Sequence, residues 1–203
     1  MPIAAVITAD IVNSTMMPST LRRSIAAKFS KILNGHPFDF YRGDSLQAVI
    51  RGPEEALGLV LQLRTEARAL SIIHDVRASI GIGQANARIA DMRTATGEAF
   101  VLSGRGFDQL TDNQRLYIQS SSELANIALD TIARFADHIF RNMTSKQAEV
   151  VGKLLEEKTQ TEVARYLKKA QATVNKHAQS ASWGEIEELI HQYKHAIKSF
   201  KLQ

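Results

Sequence analysis

The chain has 203 residues, 44% of them hydrophobic and 23% charged, with a formal net charge of +4. That composition fits a folded globular protein of one large domain, or one medium and one small, and argues against disorder. The lack of cysteine excludes disulfides, thiolate zinc sites and cysteine nucleophiles. No apolar run nears the roughly 20 residues needed to span a bilayer, and the N-terminal apolar stretch stops at Asp10, so neither a membrane span nor a signal peptide is expected and a cytoplasmic location is.

Charge is spread unevenly. Residues 1–142 hold 15 Lys/Arg against 14 Asp/Glu, almost all the bases being arginine, while residues 143–203 hold 10 against 7, with Arg165 the only arginine. This break marks a candidate domain boundary, and the basic tail suits contact with nucleic acid.

In chain order, Ile3 to Thr8 predicts a strand ending at Asp10, followed by the polar segment Asn13-Ser14-Thr15. Ser19 or Thr20 can cap a helix reaching about Leu33, where Asn34-Gly35 stops it. Phe38 to Ile50 alternates at period two around Arg42-Gly43-Asp44, which predicts a hairpin with Asp44 at its tip. Pro53 opens a helix to about Leu70 with Leu57, Val60, Leu61, Leu63 and Ala67 inward. Val76 to Gly83 alternates again, and Gly81 and Gly83 point to a bulge or a close backbone approach. A third helix is expected over 97–110, an edge strand over 116–119, and a long helix from Ser121 or Ser122 to about Phe140 with Leu124, Ala128, Ile132, Phe135 and Ile139 on its inner face.

In the tail, Thr144-Ser145-Lys146-Gln147 has the pattern of a capping box before a helix. Breaks at 157–159 and at Lys168-Lys169 separate two short helices, an arrangement that fits a helix-turn-helix. A last helix from Trp183 to Leu202 carries an apolar stripe (Trp183, Ile186, Leu189, Ile190, Tyr193, Ile197, Phe200) that must dock on the domain itself or on a second copy.

Strand pairing would bring Asp10 and Asp44 together. Two carboxylates at adjacent strand ends can hold Mg²⁺, which prefers hard oxygen ligands and leaves room for substrate phosphates. The plain alternative is that Asp10 caps a loop and Asp44 suits a turn. In the tail, Gln171, Thr173, Asn175, Lys176 and Gln179 would project from the second short helix with side chains able to bond base edges, and Lys168 and Lys169 could meet phosphates. Here the alternative is a three-helix protein-interaction module. His191 and His195 share a helix face but lack an evident third ligand.

ITADIVNST at 7–15 resembles the first strand and metal loop of class III nucleotidyl cyclases, and FYRGDSLQAVI at 40–50 resembles their Gly-Asp hairpin and that of the related diguanylate-cyclase palm. VRASIGIGQ at 76–84 and TGEAFVLSGRGFDQL at 96–110 are similar to the strand and late helix that follow. The resemblance implies Mg²⁺ or Mn²⁺ held by Asp10, Asp44 and the backbone of Ile11, and a nucleoside triphosphate beside Asn13, Ser14, Thr15, Arg42 and Gly43. It assigns Arg105 to the triphosphate as a catalytic residue. Two departures weaken catalysis: Phe40 stands where such enzymes have a base-reading lysine, and Val101 where they have a ribose-orienting asparagine. TQTEVARYLKKAQATVNKHAQ at 159–179 resembles the helix-turn-helix of bacterial regulators, with Lys168-Lys169 replacing the usual turn glycine.

The whole layout resembles the SatD-like family of small bacterial proteins. It implies an α/β (α+β) chain: a ferredoxin-like cyclase palm over 1–120, a linking helix over 121–142, and a helix-turn-helix domain with a docking helix over 143–203. The expected function is a DNA-binding transcriptional regulator with a nucleotide-binding or degenerate cyclase-like sensor, and a homodimer is expected. The alternatives are an active metal-dependent nucleotidyl cyclase or transferase, and an adaptor with neither activity.

Overall fold

Ile3–Val12 forms β1, the middle strand of the protein's sheet, and its alternation puts Ala5, Ile7, Ala9 and Ile11 on one face and Ala4, Val6, Thr8 and Asp10 on the other. The computed structural model describes residues 1–41, 43–86 and 92–199. Arg42, the segment 87–91 and Phe200 to the C-terminus, including the nucleotide candidate Arg42, lie outside the described residues. The elements follow in the order β1, α1 (Ser19–Ile32), β2 (Phe38–Tyr41), β3 (Ser45–Ile50), α2 (Ala56–Leu70), β4 (Asp75–Gln84), α3 (Glu98–Asp108), β5 (Leu116–Ser120) and α4 (Glu123–Arg141). Four further helices follow among the described residues: α5 (Ser145–Leu154), α6 (Gln160–Leu167), α7 (Gln171–Ser180) and α8 (Trp183–Ser199). The architecture is mixed α/β, a five-stranded sheet with helices on it, ordered β2-β3-β1-β4-β5. β5 runs parallel to β4, and the other pairings are antiparallel.

The main core lies between one sheet face and α1, α2 and α4, with Phe29, Leu33, Leu57, Leu61, Leu129 and Phe140 buried in it. It continues past residue 142: Ala148, Val151, Ile186, Tyr193 and Ile197 belong to the same cluster. The stripe of α8 therefore docks on this chain's own core, and the Tyr193 hydroxyl donates to the carbonyl of Pro53 at 2.8 Å. Burial pushes that phenol's pKa far up, so it is a neutral donor. A smaller core of Val150, Leu154, Val163, Ala164, Val174 and Ala178 joins α5, α6 and α7.

Helix α3 covers the opposite sheet face. A Cβ on Gly81 would strike the backbone of Ala99 and Ser103, and one on Gly106 would strike Ser79 and Tyr117. Of the two roles expected for Gly81, the structure displays the close approach: α3 lies directly on β4.

Three local expectations need correction. Pro18, not Ser19 or Thr20, takes the cap position of α1, and no side chain caps that helix. The inner face of α4 is rotated: Ala125, Leu129, Ile132, Ala133, Ala136 and Phe140 are buried, while Leu124 and Phe135 are exposed. Pro53 opens a single 3-10 turn ahead of α2 rather than α2 itself.

Candidate functional site

Register brings the front site together. β1 and β3 pair so that Asp10 faces Ser45, one residue from Asp44, and β1 and β4 pair so that Asp10 faces Arg77. Directly opposed residues of antiparallel strands share a sheet face, so β1, β3 and β4 build a polar surface from Thr8, Asp10, Ser45, Gln47, Arg77 and Ser79. The hydroxyls of Thr8 and Ser103 meet at 3.0 Å, and the Gln47 amide donates to Thr8 at 3.3 Å. At the strand ends beyond α3 this surface opens into a cavity of about 320 Å³. Asp10, Ile11 and Asp44 line it with the loop Asn13, Ser14 and Thr15, and Arg77, Asp112 and Arg115 form the far wall.

Each carboxylate already has a partner. Arg77 grips Asp10 with two bonds, Nε to Oδ1 at 3.0 Å and Nη2 to Oδ2 at 2.5 Å. The bond to Asp10 raises the already high proton affinity of Arg77 despite partial burial, with Asp112 and Asp44 adding to it. The Ser14 hydroxyl donates to Asp44 Oδ2 at 2.5 Å. Asn13 takes a left-handed conformation (φ 59°) that turns the chain out of β1, and its amide donates to the carbonyl of Ile73. The turn before β3 depends on Gly43 (φ 87°).

Mg²⁺ commonly takes one or two carboxylates and fills its remaining positions with water and phosphate oxygens. Two carboxylates on one cavity fit that donor chemistry, although no cluster of three or more His, Cys, Asp or Glu suited to a metal occurs among the described residues. Arg105 is exposed on α3 and does not line this cavity. Phe40 faces the main core, its ring edge-on to Phe38 at 5.8 Å, so it belongs to the other side of the sheet. Val101 is 49% exposed.

A buried charge network borders the cavity, and the sequence reading missed it. Arg64 bonds Asp75 through Nε and Nη2 at 3.0 Å each and Asp137 through Nη1 at 2.6 Å. Arg68 and Arg115 also reach Asp75 Oδ2, at 3.2 and 3.1 Å. Arg68 further donates to the carbonyls of Arg141 and Met143, tying α2 to the junction of α4 and α5. Burial works against the charge on both partners of the central pair. It is outweighed for Arg64 by Asp75 and Asp137, whose charges raise its pKa, and for Asp75 by Arg64 and Arg68, which hold its carboxyl below the ordinary range. A signal existed: Leu57, Leu61, Arg64 and Arg68 recur at spacings of four, three and four, which places both arginines on the inward face of α2.

In the tail, capping boxes at Thr144/Gln147 and Thr159/Glu162 start α5 and α6. The turn between α6 and α7 forms without glycine: Lys168 adopts φ 52°, ψ 44°, and the N–H of Lys169 closes on the carbonyl of Ala164. Val174 and Ala178 anchor α7 from beneath. Gln171, Thr173, Asn175, Lys176 and Gln179 are all exposed along α7, and Lys168 is exposed at the turn. Lys169 is ion-paired with Glu149, so its charge is partly neutralised within the protein.

No family model and no curated protein matches this chain.

Proposed function

We propose that the chain is a DNA-binding transcriptional regulator, whose helices α5–α7 work as a helix-turn-helix and whose sheet unit is a ferredoxin-like, cyclase-type palm that binds a nucleotide. The observation that carries the DNA reading is the exposed surface of α7. Five side chains able to bond base edges or phosphates stand exposed along a helix that Val174 and Ala178 fix to the domain. Asn and Gln match the adenine edge bidentately, Thr the thymine methyl, and Lys a guanine or a phosphate. Lys168 is the better phosphate contact at the turn, since Lys169 answers Glu149.

The nucleotide reading is supported by the cavity at the ends of β1 and β3. Asp10 and Asp44 would hold Mg²⁺ or Mn²⁺ with Ile11 beside them, and Asn13, Ser14 and Thr15 line the space a phosphate tail would enter. A bound divalent ion would supply charge neutralisation for those phosphates. Phe40 and Val101 leave base and ribose without the donors that cyclases use, so sensing fits the residues better than turnover. Arg105 cannot serve this cavity from its exposed position without a second subunit. The exposed Leu124, Ile127 and Phe135 of α4 are where a homodimer would bury apolar surface.

The test is titration of labelled duplexes at several salt concentrations. Binding whose logarithm falls linearly with the logarithm of salt concentration is expected, because cationic side chains displace counterions from phosphates. Absent or salt-insensitive binding contradicts the DNA reading. The second reading, an active nucleotidyl cyclase, is favoured by the two carboxylates sharing one cavity. It predicts a cyclic or oligomeric product from Mn²⁺ and a nucleoside triphosphate that Asp44→Ala abolishes.

A further inference from the structure

We infer that Arg77 is a built-in cation that competes with a divalent metal for Asp10, so that the metal site stays latched until the guanidinium is drawn away. This rests on the metal-site reading above and adds a regulatory element to it. Both oxygens of Asp10 are engaged by the planar fork of Arg77, a two-point geometry that a lysine or a water cannot reproduce. Mg²⁺ or Mn²⁺ held by Asp10 and Asp44 would need at least one of those same Asp10 oxygens and would face the Arg77 guanidinium at close range.

The latch is held in place from behind. The guanidinium carbon of Arg77 stands 5.4 Å from the centre of the Phe107 ring, a cation–π contact. The carboxylates of Asp112 and Asp44 add to the field at Arg77, and the side chain keeps about a third of its surface exposed. It therefore has a route outward. Asp112 is exposed on the wall of the same cavity and offers a second anionic partner, and a polyphosphate entering the cavity would offer a stronger one. Metal and phosphate should consequently bind together, each favouring the arrangement in which Arg77 has left Asp10.

The experiment is a Mn²⁺ titration of the full chain by equilibrium dialysis, read as the excess metal on the protein side, with and without inorganic triphosphate, whose own Mn²⁺ complex is counted on both sides of the membrane. Arg77→Met keeps the length of the stem and its packing on Phe107 while removing the fork, and thermal melting checks its fold. Arg77→Met should bind Mn²⁺ at least about tenfold more tightly than the natural chain, which is about 1.4 kcal/mol. Asp10→Asn added to that variant should remove the gain. Triphosphate should tighten Mn²⁺ binding in the natural chain more than in Arg77→Met. Arg77→Lys, which keeps the charge but reaches at most one oxygen, should lie between the two, and keeps the test decisive if the methionine variant fails to fold.

Arg115→Met supplies the control for simple charge removal, since Arg115 lines the same cavity without bonding Asp10 and leaves Arg64 and Arg68 on Asp75. Equal affinities in the natural chain, Arg77→Met and Arg77→Lys, all abolished by Asp10→Asn, overturn the latch and leave the metal site standing. An equal gain from Arg115→Met also overturns it. No Mn²⁺ binding by any variant overturns both.

Discussion

Asp75 shows how much a single side chain holds in this protein. It is fully buried at the start of β4 and receives bonds from three arginines. Removing one partner of a buried ion pair strands the other charge, at a cost of about 3–5 kcal/mol, so Asp75→Asn should lower unfolding free energy by that order in urea titrations at neutral pH. The pH dependence follows from the direction of the shift. The folded-state pKa of Asp75 is depressed, so its contribution is complete above the unfolded value of about 3.9 and is lost as pH falls through and below it. The natural chain should lose stability steeply below about pH 4, and Asp75→Asn should lose it less steeply. Parallel curves would mean that Asp75 is not the group responsible. At this scale the sequence was legible where strand pairing follows from alternation, which sets Asp10 and Asp44 on one cavity. It was illegible where a charge pairs across elements: Arg77 meets Asp10 only through strand register, and Asp112 and Arg115 reach the cavity only through the turn before β5.

At the scale of elements, the breaks in the tail are held by non-glycine residues in left-handed conformations: Glu157 (φ 60°), Lys168 (φ 52°) and Ser182 (φ 57°). Such residues carry a steric penalty that glycine avoids. Lys168→Gly should therefore raise unfolding free energy by roughly 1 kcal/mol and, if the tail binds DNA as proposed, should weaken that binding by removing a cation at the turn. A loss of stability would show that the lysine side chain makes an interaction that outweighs the strain. The Thr159 cap accepts from the backbone of Glu162, and Thr159→Ala should cost about 1 kcal/mol in the same titration. The start of α5 was legible because the capping box at Thr144 and Gln147 has a local pattern, whereas the box at Thr159 and Glu162 reads in the sequence only as a break. The inner face of α4 was not legible, because the buried side is built from Ala125, Ala133 and Ala136, small residues that let the helix sit close to the sheet. The larger Leu124 and Phe135, which look like core by hydrophobicity, point outward. Gly81 announced a close approach, but which element approaches was not visible from β4 alone.

At the scale of the molecule, the composition break near residue 142 coincides with the junction of α4 and α5, but the core runs across it. Thr65 lies against Gly152, Gln62 donates to the carbonyl of Leu155 at 2.9 Å, and Arg68 bonds the Met143 carbonyl. Packing of this continuity should make the sheet unit and the tail unfold together. Trp183, the only tryptophan, sits at the start of α8 and touches both cores. Its fluorescence and the far-ultraviolet dichroism should give coincident denaturation curves, and an earlier fluorescence transition would show that the tail melts separately. The same continuity links the cavity to the α4–α5 junction. Asp112 and Arg115 line the cavity, Arg115 bonds Asp75, and Asp75 bonds Arg68 at the α4–α5 junction.

The central claim is that α7 reads DNA. The most direct measurement selects duplexes from a random pool with the full chain, then compares affinity for the selected sequence with that for a scrambled one, in the natural protein and in the double variant Asn175→Ala, Gln179→Ala. The account predicts a selected sequence bound at least tenfold more tightly than its scramble, since each base contact contributes about 1–3 kcal/mol of discrimination. That margin should collapse in the variant while weak, salt-sensitive binding to both duplexes persists. A pool that yields no enriched sequence, or a margin untouched by the two substitutions, would contradict it.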